Sequence, residues 1–327
     1  MVTLSRMMRR RKAKSLLDKV VLITGSSRGL GLAMAEEFGR RGAKLVLTAR
    51  DEKELERSRQ LLLERRVIPA SYVLVVPADL RKAEEAEYLI QRATEHFGQI
   101  DILINNAGVI TVGPVENQTV QNFHDVMDAN FFSGLHCSLA ALPQMLGRRS
   151  GIIVNITSIG GKVAVPHMLP YTASKFAAVG FSEGLHAELR AKGIHVLTVC
   201  PGLMRTGSHL NALFSGDAPR EYRWFSLAAT LPIVSTSASH AARKIARAVI
   251  SETTEIAITP QAILAARLSN LAPEFAAQAM SSVNRLLLPQ SVSQSTGLRR
   301  GAEVRDQEWM PASKIGLKAG SRYNQTG

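Results

Sequence analysis

Seven short apolar runs, rich in β-branched residues, recur between Lys19 and about residue 259: 20–23, 44–48, 73–76, 102–104, 152–156, 196–199 and 255–258. Longer amphipathic stretches separate them, among them 30–41, 52–66, 82–97 and 173–191. An apolar run without polar alternation suits a strand covered on both faces, and the helical stretches supply the crossovers that parallel strands need. The pattern therefore predicts a single doubly wound α/β domain, a seven-stranded parallel Rossmann-type sheet, over 19–260 rather than two separate domains. Right-handed crossovers leave few topologies open. A long interruption after the sixth strand, about 205–235, reads as a lid, and 261–290 reads as an apolar helical extension. A basic arm, 1–18, precedes the domain, and the polar stretch 291–327 is expected to be flexible or loosely docked.

The net charge of +13 would point to nucleic acid if it lay on one face. Instead residues 1–19 carry +6 and residues 291–327 carry +3, which leaves +4 on the body. Charge gathered at the ends reads as solvated tails, so no nucleic-acid partner is expected. The basic arm leaves open a weak peripheral contact with an anionic membrane surface. No apolar run reaches the roughly 18 residues that a membrane span requires. The start lacks the apolar core of a secretion signal, so a cytoplasmic protein is expected. Cys137 and Cys200 sit in apolar surroundings and read as buried, reduced thiols. The eight histidines show no metal-ligand spacing, so no metal is expected.

The first strand runs into Thr24-Gly25-Ser26-Ser27-Arg28-Gly29-Leu30-Gly31, and a helical pattern begins at once. Glycines there allow a tight turn and close approach of the backbone to a pyrophosphate, and the helix N-terminus offers free N–H groups and a positive dipole. Glycine in such a turn also has purely steric uses, but its place after the first strand points to a dinucleotide site. The second strand ends at Arg50, where an acidic residue would favour a free ribose hydroxyl. Arg50 and Arg28 suit bidentate contact with a 2′-phosphate, which favours NADP(H) over NAD(H). In the competing reading, Arg50 caps a helix and Asp51 holds the ribose.

Tyr171 and Lys175 stand four residues apart, one above the other on a helix face. An ammonium near a phenol favours the phenolate and draws its pKa down from about 10 towards the range of an acid–base catalyst. Such a pair is common on helix surfaces, but Ser158 lies just beyond the end of the fifth predicted strand, where open α/β sheets bind ligands. Ser158 is flanked by Thr157 and Ile159, not by the glycines of a nucleophile elbow, which argues against a hydrolase.

With Asn105-Asn106-Ala107-Gly108 after the fourth strand and Pro201-Gly202 after the sixth, the chain resembles the short-chain dehydrogenase/reductase family over about residues 18–260. The resemblance implies an oxidoreductase that interconverts a carbonyl and an alcohol. Tyr171 would be the acid–base group, Ser158 the stabiliser of the oxyanion, Lys175 the holder of the nicotinamide ribose and Asn130 the anchor of a water leading to solvent. It further implies cofactor contacts from Gly25, Ser27, Arg28, Gly29, Leu30, Gly31, Arg50, Asp79, Leu80, Asn106, Ala107, Gly108, Tyr171, Lys175, Pro201, Gly202 and Thr206. Within these, Asp79 would meet the adenine edge, Asn106 would line the channel and Thr206 would fix the carboxamide. A homodimer or homotetramer is implied as well. The spacing of the glycines differs from that of the family's sugar-nucleotide epimerases. The three residues between Tyr171 and Lys175 differ from the six of its enoyl reductases. Both departures favour simple carbonyl–alcohol chemistry.

Leu210, Leu213, Phe214, Tyr222, Trp224, Phe225 and Leu227 make the lid region apolar and aromatic. That suits a lipophilic substrate such as a steroid-like, acyl or aromatic ketone, or else packing against the C-terminal helices. His167, four residues before Tyr171, reads either as a substrate contact or as a loop histidine without a task. Two other readings stand beside the NADP(H) reductase: an NAD(H)-dependent alcohol dehydrogenase, and a catalytically silent nucleotide-binding regulator. The second would be expected to have lost Ser158, Tyr171 or Lys175, and all three are present.

Overall fold

Burial along each apolar run explains why all seven expected strands form. β1 (Val20–Thr24) leads into α1 (Gly29–Gly39), β2 (Lys44–Thr48) into α2 (Glu52–Glu64), and β3 (Val73–Val75) into α3 (Ala83–Phe97). β4 (Ile102–Asn105) is followed by a two-residue strand, β5 (Thr111–Val112), and by α4 (Val120–Met127) and α5 (Ser133–Arg148), which a π-helical turn at Asp128–Phe132 joins. β6 (Gly151–Ile156), α6 (Leu169–Leu189) and β7 (Ile194–Cys200) come next. The lid region holds β8 (Leu203–Arg205), β9 (Leu213–Phe214), α7 (Ala218–Thr230) and β10 (Ser235–Ser237). After it come α8 (Ala238–Ser251), β11 (Glu255–Ala257), α9 (Pro260–Leu271), α10 (Pro273–Leu287), β12 (Arg299–Arg300) and α11 (Gly301–Val304). The computed structural model describes residues 15–231, 235–290, 297–304 and 318–325; the basic arm, apart from its last residues, lies outside them.

The central sheet has the order β11-β7-β6-β4-β1-β2-β3, with every neighbouring pair parallel. Successive side chains of β1 enter opposite layers. Val21 and Ile23 belong to the buried cluster that holds Phe38 of α1 and Ile245 of α8, while Val20 and Leu22 belong to the one that holds Leu89 of α3 and Cys137 of α5. Helices thus cover both faces, as the unalternating apolar runs require. The order in which strands join the sheet reverses between β1 and β4, which opens a crevice at their carboxyl ends. The residues named from the sequence gather around that crevice.

Two expectations change. The helical extension is two helices, because Ala272 before Pro273 takes φ −140°, ψ 68°, outside the helical region that a following proline disfavours. The tail, expected to be flexible or loosely docked, is packed in its described parts. β12 pairs antiparallel with β9, and Tyr323 is buried at 3% exposure in the same core cluster as α1. Its apolar anchors, Val304 and Tyr323, are isolated among polar neighbours, which hides their burial from composition. Among the described residues no helix is long and apolar enough to cross a membrane, and no cluster of His, Cys, Asp or Glu could hold a metal.

Candidate active site

β6 delivers Ser158 to the crevice. Past the strand end, Thr157 is tied by its hydroxyl to the Val199 carbonyl (2.7 Å), and Ser158 stays extended. The Ser158 Oγ accepts from the Gly160 N–H (3.0 Å) as the cap of a short 3-10 turn. That bond uses a lone pair and leaves the hydroxyl proton free to donate. The turn then runs tightly against α6: a Cβ on Gly161 would stand 2.5 Å from the Lys175 carbonyl oxygen, so only glycine lets the two segments meet.

Proline near its start sets the first turn of α6, which carries Tyr171 and Lys175 on one face. The Lys175 Nζ lies 5.7 Å from the Tyr171 ring centroid and donates to the Ile156 carbonyl (3.2 Å). Lys175 is buried at 5% exposure, and burial pushes its ammonium down to about 8. Tyr171 does not show the expected depression by lysine. Burial pushes the phenol up, and the hydrogen bond from Ser158 is what opposes it. The ammonium is instead turned to the Ile156 carbonyl.

Asn130 sits in the π-helical turn, which rotates its side chain inward. Its Oδ1 accepts from the Val109 N–H (2.7 Å), and its Nδ2 donates to the Val109 carbonyl (3.1 Å) and to Ser174 Oγ (2.9 Å). A Cβ on Gly108 would lie 2.7 Å from Asn130 Oδ1 and 3.7 Å from Lys175 Nζ, so this glycine separates the two side chains. Sequence reasoning missed the polar ladder behind them. Asn105 Nδ2 donates to Asn155 Oδ1 (2.9 Å), Asn155 Nδ2 to Ser182 Oγ (2.9 Å), and Ser182 meets Thr198 (2.7 Å). Each partner comes from a different element, which only the fold aligns. A small cavity lined by Thr24, Asn105, Asn130 and Thr157 adjoins the ladder.

At the phosphate turn, a Cβ on Gly31 would stand 2.1 Å from the Gly25 carbonyl oxygen, so the strand and helix could not close without glycine. Thr24 Oγ1 accepts from the Asn106 and Ala107 N–H groups (2.8 and 2.9 Å), and Asn106 Nδ2 donates to the Thr24 and Gly25 carbonyls. The glycine-lined turn at the start of α1 fits a dinucleotide. The Arg28 guanidinium is held by Glu54 Oε1 (3.1 Å) and Asn211 Oδ1 (3.0 Å), and Ser27 Oγ donates to Glu54 Oε2 (3.1 Å). Burial pushes Arg28 down, Glu54 opposes this, and Arg300 and Arg50 push the same way as burial. Arg300, in the strand that the tail contributes, was not foreseen at this site. Asp79 is chelated by Arg81, whose hydrogen bonds hold the carboxyl below its usual range, and Leu80 is buried beside it. Pro201 accepts from the Ile159 N–H (2.8 Å), Gly202 faces Thr259, and Thr206 is buried with Oγ1 accepting from the Ser208 N–H (3.2 Å).

The lid packs over Tyr171. Val112, Met168, Phe214, Tyr222 and Phe225 form a buried cluster, with Tyr171 and Trp224 packed against it. His167 has a partner: its Nδ1 lies 2.8 Å from Glu221 Oε1 of α7, and Trp224 Nε1 donates to Glu221 Oε2 (2.6 Å). Glu221 is fully buried, so this bridge fastens the lid helix to the loop that precedes Tyr171.

Comparison with known proteins places this geometry. The profile of the short chain dehydrogenase family matches residues 19–213. A dehydrogenase/reductase SDR family protein 7-like of Anopheles gambiae is 40% identical over 211 residues, which cover 64% of this chain and 67% of that protein. The matched stretch spans about two thirds or less of such insect relatives. A short chain dehydrogenase/reductase from Burkholderia phymatum, solved in complex with NAD, superposes with a TM-score of 0.71 at 26% identity, covering 86% of this chain and all of that one. A variant actinorhodin polyketide ketoreductase, solved with NADPH, superposes with a TM-score of 0.65 at 29% identity, covering 74% of this chain and 95% of that one.

Proposed function

The chain belongs to the short-chain dehydrogenase/reductase family of oxidoreductases, and from that premise we propose that it is an NADP(H)-dependent reductase of a lipophilic ketone or aldehyde. The observation that carries the reading is the convergence of Ser158, Tyr171 and Lys175 at the carboxyl end of β6, beneath an aromatic lid. The nicotinamide, when bound, supplies the hydride. Tyr171 gives its phenolic proton to the carbonyl oxygen, and Ser158 turns its hydroxyl proton from Tyr171 to the same oxygen as charge develops there. Lys175 holds the nicotinamide ribose and, turned from the Ile156 carbonyl, steadies the phenolate that proton transfer leaves. Asn130 positions Lys175 and Tyr171 through Ser174, whose hydroxyl bonds the Tyr171 carbonyl (2.7 Å).

NADP(H) is favoured because Arg28, Arg50 and Arg300 crowd one corner of the crevice, and a 2′-phosphate would relieve their repulsion. Arg28 would then exchange Glu54 for the phosphate. NAD(H) is the second reading, since Glu54 already holds Ser27 and Arg28 where that phosphate would lie. Exposed Leu139 of α5 and Phe176 of α6 support a homodimer or homotetramer, and the buried free thiols of Cys137 and Cys200 support a reducing, cytoplasmic setting. We assign residues 19–260 to one catalytic domain, with the C-terminal segments forming part of its groove. The test is steady-state turnover of a ketone and aldehyde panel with each nucleotide. A lower KM for NADPH and higher activity on bulky apolar ketones are expected. A clear NADH preference would remove the cofactor assignment, and a preference for small polar ketones would remove the substrate class.

A further inference from the structure

Residues 318–325 lie against the glycine turn that the proposed dinucleotide would use. The Gly29 N–H, at the start of α1, donates to the Tyr323 carbonyl (2.8 Å). Asn324 Nδ2 donates to the Ser27 carbonyl (2.9 Å), with the Glu54 carbonyl and Ser58 Oγ at 3.2 and 3.3 Å. Gln325 brings Nε2 within 2.7 Å of the place where a Cβ on Gly29 would stand, and the Thr206 Cβ is 3.9 Å from that place. The amide therefore sits between the glycine turn and Thr206. Asn211 Nδ2 donates to the Gln325 carbonyl (3.2 Å) and to its Oε1 (2.7 Å), while Asn211 Oδ1 accepts from Arg28 (3.0 Å). Close packing completes the fit: a Cβ on Gly207 would meet the Gly320 Cα at 2.6 Å.

These contacts engage the groups that a dinucleotide phosphate needs. One is an amide at a helix N-terminus, one is the space between Gly29 and Thr206, and one, reached only through Asn211, is the side chain of Arg28. A backbone carbonyl carries a partial negative charge and can occupy such an amide, but a phosphate carries full charge and gains more from the helix dipole. We infer that residues 318–325 are an internal ligand of the phosphate-binding turn, a strap that the dinucleotide pyrophosphate displaces. This rests on the dinucleotide reading above and adds that nucleotide affinity is set by a competition within the chain. The buried Tyr323 side chain anchors the strap. Asn324, Gln325 and Asn211 make its exchangeable polar contacts.

The competition predicts that weakening the strap tightens binding, because a docked strap lowers the binding-competent fraction and raises the apparent Kd in proportion. The experiment titrates NADPH, and separately NADH, against the full chain, the full chain with Asn324→Ala, and a chain ending at residue 317. Asn324→Ala leaves Tyr323 in place and introduces no charge, so it keeps the test sound if the shortened chain is unstable. A Kd for NADPH about fivefold to tenfold lower in Asn324→Ala is expected, with a decrease at least as large in the shortened chain. Hydrogen exchange at the amides of 321–325 should quicken when NADPH binds the full chain. An unchanged or higher Kd in Asn324→Ala, or slower exchange across 321–325 with NADPH bound, overturns the strap while leaving the dinucleotide site intact. If neither nucleotide binds any of the three proteins, the dinucleotide reading fails and the strap with it.

Discussion

The two walls of the crevice are built in opposite ways. On one side, Ser158, Tyr171 and Lys175 come from a strand end and the helix that follows it, held by bonds between near neighbours in sequence and by the sheet itself. On the other, the lid, β12 and residues 318–325 come from distant parts of the chain. They are held by a two-residue strand pairing, the His167–Glu221–Trp224 bridge and the Asn211–Gln325 contacts. On the proposed function, the first wall carries the chemistry. On the same reading, the second decides what reaches it.

That contrast predicts losses of different kinds on the two sides. On the first wall, Lys175→Met should lower kcat by about a thousandfold, since the phenolate loses its ammonium and the ribose its anchor. Unfolding by urea should show no matching loss of stability; a comparable loss would mean that Lys175 is structural and would erase the contrast. On the second wall, Glu221→Ala takes the shared carboxylate from half-buried His167 and Trp224 and should cost about 1–3 kcal/mol of stability. Its KM for bulky ketones should rise more than its kcat falls, while nucleotide binding holds. A collapse of kcat at unchanged KM would place Glu221 with the chemistry instead.

The buried lysine gives the contrast a pH signature. The folded pKa of Lys175, about 8, lies below its ordinary 10.5, so the unfolded chain binds more protons between those values. Stability from this group therefore rises as pH climbs from about 8 to 10.5, and below that window the buried charge is a burden. Lys175→Met should be more stable than the parent at pH 7 by about 1–3 kcal/mol, and the gap should close by pH 10.5. A gap that does not change with pH would contradict the buried ammonium. The smallest effect is expected at the nucleotide corner. Arg50→Ala should raise the KM for NADPH about tenfold and leave that for NADH unchanged, an exposed charge being worth little more. Equal changes for both nucleotides would count against a 2′-phosphate contact.

The same contrast explains what could be read from the sequence. The seven strands, the glycine turn and the Tyr171–Lys175 spacing were legible because each is a local pattern whose physics acts over one strand or one helical turn. The seat of Asn130 was less so, since a π-helical turn is needed to rotate it inward. The Asn105–Asn155–Ser182–Thr198 ladder was not legible at all, because only the folded sheet and the packing of α6 on it align its members. The packing of 297–304 and 318–325 was not legible because polar composition hides two buried anchors, Val304 and Tyr323, and contacts that exist only against distant residues.

The central claim is that Tyr171 moves the proton in a nicotinamide-dependent reduction, and one comparison tests it most directly. Parent and Tyr171→Phe proteins, both first shown by titration to bind NADPH, are compared for NADPH consumption with the best ketone of the panel. The phenylalanine keeps the ring and removes only the hydroxyl, so turnover should fall by at least about a hundredfold while nucleotide binding is retained. Turnover in Tyr171→Phe at the parent rate would contradict the account.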